Sequence, residues 1–209
     1  MSFDVAIART LGTTRIDIAF TVEDGLTVLF GPSGVGKTSV LNMIAGLLKP
    51  DQGHIRVAGT TLFDAAARID IPPEQRRIGY VFQDGRLFPH RRVRANLLYG
   101  HRRATPDGNA LAFGDVVAFL GIAHLLDRWP RALSGGEIQR VAIGRALLSG
   151  ARTLLMDEPL SSLDRARRED VMTVILRLRD ELNMPILYVT HDPAEADRLA
   201  TRRILLHPA

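Results

Sequence analysis

The chain has 209 residues, 46% hydrophobic and 24% charged, which suits one large globular domain and excludes a disordered chain; no apolar run nears the ~18–20 residues of a membrane span. The absence of cysteine rules out disulfides and thiolate metal sites and fits a reducing compartment, and the opening MSFDVAIARTLG is not a secretory leader. The formal charge is +4, and of 27 cationic residues only Lys37 and Lys49 are lysines; the arginines are dense only from Arg86 to Arg103, where a solvated face competes with a patch for nucleic acid or acidic protein.

In chain order, Phe3–Ile7 and Ile16–Val22 alternate polar and apolar residues and predict antiparallel strands. Leu26–Phe30 is apolar on both faces and predicts a buried parallel strand. Ser39–Leu48 predicts a helix stopped by Pro50. Ile78–Phe82 predicts a second buried strand. From Asp84 to Arg152 the pattern is mainly helical, with Val93–Tyr99, Ala110–Leu120 and Glu137–Leu148 as helices and Thr105–Asn109 as a loop. Thr153–Asp157 and Ile186–Thr190 are two more buried strands, and Arg165–Leu182 is a helix between them. The expected fold class is α/β: a mainly parallel sheet with an antiparallel β-subdomain at the N-terminus and a helical insertion. The expected division is residues 1–83 and 153–209 as core and 84–152 as helical subdomain, together one domain over 1–209.

Three constellations carry chemistry. The first is Gly31-Pro32-Ser33-Gly34-Val35-Gly36-Lys37-Thr38, a complete G-x-x-x-x-G-K-[ST] between a strand and a helix that opens at Ser39. Its glycines let backbone N–H groups curl around phosphate, Lys37 brings charge to the β- and γ-phosphates, and the Thr38 hydroxyl is a ligand for Mg²⁺. The second is Asp157-Glu158 at the carboxyl end of a parallel strand, where ligands bind. Asp157 is placed to hold Mg²⁺ and Glu158 to polarise the attacking water. Gln83 and His191 follow two other strands and point to the same crevice, the first toward Mg²⁺ or water and the second toward the γ-phosphate. The third is Ser134-Gly135-Gly136-Glu137. Ser134 and Glu137 have capping-box spacing, yet two glycines weaken the first turn of the helix they start.

In their order along the chain, the phosphate loop, Gln83, the stretch Leu133–Glu137, Leu154–Pro159, Ser161-Ser162-Leu163-Asp164 and His191 resemble the ATP-binding subunits of ABC transporters. The resemblance covers nearly the whole chain. It implies ATP and Mg²⁺ as cofactors and ATP hydrolysis as the activity. It makes Ser134, Gly135, Gly136 and Glu137 a signature motif whose bare helix end meets the ATP of a second copy, in a head-to-tail homodimer with two sandwiched nucleotides. Ser161–Asp164 is then the loop that couples the two sites, and His191 the switch histidine. Within the family, Ile71–Asp84, Leu87–Gly100 and Glu137 in place of the commoner Gln are most similar to importers of oxyanions, molybdate importers above all. The implied partners are transmembrane permease subunits, docked after Gln83, and indirectly a substrate-binding protein; nucleic acid is not expected. The implied location is the cytoplasmic face of the inner membrane, held through the permease. Rivals within the family are a soluble ATPase acting on nucleic acid and an exporter cassette. Two departures stand out. Leu11 occupies the place of the family's adenine-stacking aromatic, and the chain reaches Ala209 without the C-terminal regulatory domain common in such importers, so it is either natively short or cut.

Overall fold

The structure, a computed structural model, describes residues 2–101 and 111–207. Two five-stranded sheets organise it. Strands β1 (Phe3–Leu11) and β2 (Thr14–Val22) form a hairpin in register Phe3↔Val22 to Leu11↔Thr14, turning at Gly12 with φ 60°. The antiparallel sheet continues through β4 (Gln52–Val57), β5 (Thr60–Asp64) and β6 (Ile69–Asp70), in the order β2-β1-β4-β5-β6. The antiparallel part therefore reaches beyond the N-terminus and takes up residues 52–70.

The second sheet is wholly parallel, in the order β10-β3-β9-β8-β7. It consists of β3 (Leu26–Phe30), β7 (Ile78–Val81), β8 (Thr153–Asp157), β9 (Ile186–Thr190) and β10 (Arg202–Leu205). Every residue of β8 and β9 is buried. Alternation then divides the apolar side chains between two cores. Leu29, Leu155, Leu187 and Val189 join the antiparallel sheet and helix α1 (Lys37–Ala45). Val28, Leu154, Met156 and Tyr188 join helices α2 (Val93–His101), α3 (Phe113–Leu120), α4 (Gly135–Leu148) and α5 (Arg165–Glu181) on the other face. Each fully buried Leu, Val or Ile contributes about 1.5–3 kcal/mol of transfer free energy, so these two faces hold the sheet that carries the site.

Helix α1 ends earlier than Pro50 would require. Gly46, at φ 82°, closes it by donating to the Asn42 and Met43 carbonyls. The buried Arg76 then takes the last carbonyls: its Nη1 donates to Met43 O at 3.0 Å and Ile44 O at 2.8 Å, while Nη2 meets Asp70 at 3.1 Å. A Cβ at position 46 would stand 2.6 Å from Arg76 Nε, so only glycine allows this grip. Helix α3 begins at Phe113; Ala110, the Thr105–Asn109 loop, Arg102 and Arg103 lie outside the described residues. A last short helix, α6 (Pro193–Leu199), follows β9 and is capped by Asp192.

Candidate functional site

Strand β3 delivers the chain into the loop at residues 31–36, and helix α1 takes it away. Gly34 and Gly36 have φ 81° and 102°, left-handed values that a side chain resists. Gly36 also lies where a Cβ would be 2.8 Å from Ile16 Cδ1. The resulting loop curls round its own lysine. Lys37, 4% exposed, donates from Nζ to the Gly31 and Pro32 carbonyls, both at 2.8 Å, and lies 3.5 Å from Glu158 Oε1. Among the described residues, no protein carbonyl accepts from the N–H groups of residues 33–39. A nest of unpaired donors at a helix start, with a buried ammonium beneath it, is a site for a polyanion.

The carboxylates arrive from strand β8, two places from β3 in the sheet with β9 between them; Asp157 ends the strand and Glu158 follows it. Asp157 accepts from Thr38 Oγ1 at 2.9 Å, and its second oxygen is 3.4 Å from the Tyr80 hydroxyl. Burial pushes the Asp157 carboxyl above the usual range, and the adjacent Glu158 charge adds to that push; the Thr38 bond works against it. Such a carboxylate gains from a cation. Hydroxyl and carboxylate oxygens are the hard donors that Mg²⁺ takes, so the residues present fit that ion.

Glu158 is held in a left-handed conformation, φ 43°, which costs a residue with a Cβ about 1–2 kcal/mol. Its N–H continues the ladder to Val189 O, and its carbonyl is fixed by the Ser161 hydroxyl at 2.9 Å. The strained turn aims the carboxylate between Lys37 and His191, whose Nδ1 is 3.0 Å from Glu158 Oε2. His191 stands at the end of β9, 47% exposed at the side chain. A cleft of about 420 Å³ is lined by Ser33, Gly34, Gly36, Lys37, Thr38, Ser39, Gln83 and Glu158.

A model of the family described as "ABC transporter" matches residues 16–161. The chain belongs to that family. It is 56% identical over 206 residues to the molybdenum import ATP-binding protein ModC of Brucella melitensis, covering 97% of this chain and 56% of that protein. It is 53% identical to the ModC protein of Rhodospirillum rubrum, covering 97% of this chain and 55% of the relative. The chain thus spans little more than half the length of the curated relatives it matches. Among solved structures, it superposes on cbiO1 of Clostridium perfringens with a TM-score of 0.81 at 24% identity, covering 98% of this chain and 84% of the other, which shows the fold. It superposes on the ATP-binding cassette MJ0796, in a dimeric structure bound to ADP and Pi, with a TM-score of 0.75 at 26% identity, covering 97% and 92% of the two chains.

Against that family, the signature stretch stands apart from the cleft: none of Ser134, Gly135, Gly136 and Glu137 lines it. They start α4 with a complete capping box, Ser134 N–H donating to Glu137 Oε2 at 2.7 Å and Glu137 N–H to Ser134 Oγ at 3.4 Å. Burial pushes the Glu137 carboxyl up, but Ser134, Arg128 and Arg140 outweigh it and hold the group below the usual range. The glycines have a packing reason inside the chain. A Cβ at Gly135 would sit 2.7 Å from Leu163 Cδ2, and one at Gly136 3.3 Å from Arg167 Cβ. Glycine lets the start of α4 close on the Ser161–Asp164 loop and on α5.

The sequence reading missed the neighbouring part of the site. A second cleft of about 560 Å³ adjoins the loop and is lined by Thr13, Thr14, Arg15 and residues 32–35. Leu11, by contrast, packs against the apolar core. The signal was the hairpin turn at Gly12, which brings residues 13–15 back over the loop. The arginine-dense stretch also reads differently in three dimensions. Arg86 lies over Phe82 at 4.2 Å, Arg92 over Trp129 at 5.2 Å and Arg94 over Phe113 at 5.6 Å. These cations lie over the protein's own rings while staying exposed to solvent.

Proposed function

We propose that this chain is the ATP-binding and ATP-hydrolysing part of an importer that moves molybdate or a related oxyanion through a separate membrane permease. The observation that carries this is the single cleft in which Lys37, Thr38, Gln83 and Glu158 converge, with Asp157 bonded to Thr38 behind it. The phosphates of ATP occupy the nest of N–H groups, and Lys37 exchanges the Gly31 and Pro32 carbonyls for the β- and γ-phosphate oxygens. Thr38 and Asp157 would hold Mg²⁺, with Gln83 as a further oxygen donor, and the ion would neutralise charge on the phosphates. Glu158 accepts a proton from the attacking water, whose oxygen bonds to the γ-phosphorus as the bond to ADP breaks. His191 orients Glu158 and donates to the γ-phosphate. The nucleobase lies in the adjoining cleft, beneath Arg15.

Because Ser134, Gly135 and Gly136 lie outside their own chain's cleft, they serve a second copy. In a head-to-tail dimer the N–H groups of Gly135 and Gly136 and the Ser134 hydroxyl meet the γ-phosphate held by the other loop, so ATP favours closure and its hydrolysis reopens the seam. Glu137 holds the helix end in shape for this contact. The permease docks in a groove of about 380 Å³ whose lining includes Phe82, Arg86, Phe88, Tyr99 and Arg145. Among the described residues no helix is long and apolar enough to cross a membrane, which suits a subunit held peripherally at the inner, cytoplasmic face. Residues 84–152 are the helical subdomain, which carries the signature and forms the groove together with β7 and Phe82. The choice of molybdate is supported by the ModC relatives, which are molybdenum import ATP-binding proteins; a substrate-binding protein that feeds the permease belongs to the same proposal.

The test is molybdate uptake by cells whose copy of this chain has been replaced by Lys37→Ala. Uptake lost with that variant and restored by the parent chain supports the proposal. Uptake unchanged, or ATPase activity driven instead by DNA or RNA in a salt-dependent way, overturns it.

A further inference from the structure

The segment from Phe82 to Arg86 leaves β7 and makes no further strand, yet its backbone is gripped. Gln139, on the second turn of α4 and only 2% exposed, donates from Nε2 to the Gln83 carbonyl at 2.7 Å. Two turns later in the same helix, Arg145 donates from Nη2 to Gly85 O at 2.9 Å and from Nη1 to Arg86 O at 2.7 Å. The loop presses close enough that a Cβ at Gly85, φ 67°, would lie 2.6 Å from Ile138 Cγ2. Arg86 follows at φ 40°, so the fit is made at some conformational cost. Gln139 Oε1 is buried with no partner among the described residues. The amide is thus committed at its donor end alone, with the short bond on Gln83 and a long one of 3.5 Å on the Phe82 carbonyl.

We infer that Gln139 and Arg145 are positioning residues that fasten Gln83 to helix α4. The Gln83 side chain lines the cleft with Lys37 and Glu158, while its carbonyl travels with the helix whose N-terminus is Ser134. Arg145 lines the groove beside Phe88, over whose ring it lies at 5.4 Å. One rigid helix therefore carries the signature at its start, the anchor of Gln83 one turn later and a wall of the groove near its end. A displacement at the groove reaches Gln83 through these three hydrogen bonds. Misplacing a reacting group by about 1 Å can cost on the order of 10²-fold in rate, so the anchor controls turnover without touching ATP. The inference rests on the proposed role of Gln83 in the cleft.

The test is a double-mutant cycle on ATPase kinetics. Gln139→Met keeps the volume and removes the donor. It is expected to lower kcat about tenfold while KM for ATP stays within about twofold. In a Gln83→Ala background the same change is expected to add less than about a twofold loss, because there is no side chain left to position. An unchanged kcat for Gln139→Met, or an equal loss in both backgrounds, overturns the inference and leaves the role of Gln83 standing. Full activity in Gln83→Ala alone overturns that role, and the inference with it. If Gln139→Met melts early, Arg145→Lys, which keeps the charge but cannot fork to two carbonyls, must show the same loss and the same dependence on Gln83; its failure to do so is equally decisive.

Discussion

Replacing Ser134 by alanine separates what the signature stretch does for its own helix from what it does for a phosphate. In the structure the hydroxyl accepts a single hydrogen bond, from Glu137 N–H, and that bond is long at 3.4 Å. The reciprocal bond, Ser134 N–H to Glu137 Oε2 at 2.7 Å, survives the substitution. An N-cap serine is worth about 0.5–2 kcal/mol, and a bond of this length with its partner retained belongs at the low end, about 0.5–1 kcal/mol. For a chain of this size the melting temperature should fall by roughly 1–4 °C. Loss of one preorganised donor to a developing oxyanion, however, costs on the order of 10²-fold or more. Thermal melting followed by circular dichroism, alongside steady-state phosphate release at saturating ATP, reads both numbers from one preparation. A small drop in melting temperature with at least a tenfold loss of turnover is expected. Turnover within about twofold of the parent, or a fall in melting temperature above about 8 °C, would refute the reasoning and leave Ser134 as a cap alone.

Asp157→Asn should raise the melting temperature of the metal-free, nucleotide-free protein by roughly 2–4 °C, since it removes a buried charge beside Glu158 and keeps an acceptor for Thr38; the same variant should lose the further stabilisation that Mg²⁺ adds in the presence of ATP, and a lower melting temperature would contradict this. Arg15→Ala should weaken ATP binding by about three- to tenfold through loss of the guanidinium platform while leaving the affinity for tripolyphosphate unchanged; equal weakening of both ligands would show that Arg15 acts on the phosphates instead.

The parallel sheet was legible because its strands are buried on both faces, so LTVLF, TLLMD and ILYVT read as unbroken apolar runs. The cap of α4 was equally plain, since Ser134 and Glu137 follow a local rule that the structure obeys. Strands β4 to β6 were not legible. They are short and only partly buried, and a bulge between Ile55 and Arg56 interrupts their alternation. Strand β10 is almost wholly exposed at the sheet edge and carries little pattern. The end of α1 was misplaced because Pro50 is a strong signal, whereas the Gly46 and Arg76 grip depends on a residue thirty positions away. In the site, local motifs point to Lys37, Thr38, Asp157 and Glu158, and the structure brings them together, Thr38 against Asp157 and Lys37 against Glu158. The motifs could not show that Glu158 sits in a left-handed turn, that Arg15 comes back over the loop, or that Gln139 holds Gln83, because each depends on segments brought together by the sheet.

The central claim is that Glu158 takes the proton from water in a cleft completed by a second copy of the chain. The decisive variant is Glu158→Gln, with steady-state hydrolysis and sedimentation measured on the same sample at saturating ATP and Mg²⁺. Hydrolysis slowed by at least roughly 10²-fold is expected, together with a stable dimer holding two uncleaved ATP molecules. Hydrolysis within about threefold of the parent, or a chain that stays monomeric with ATP bound, would contradict it.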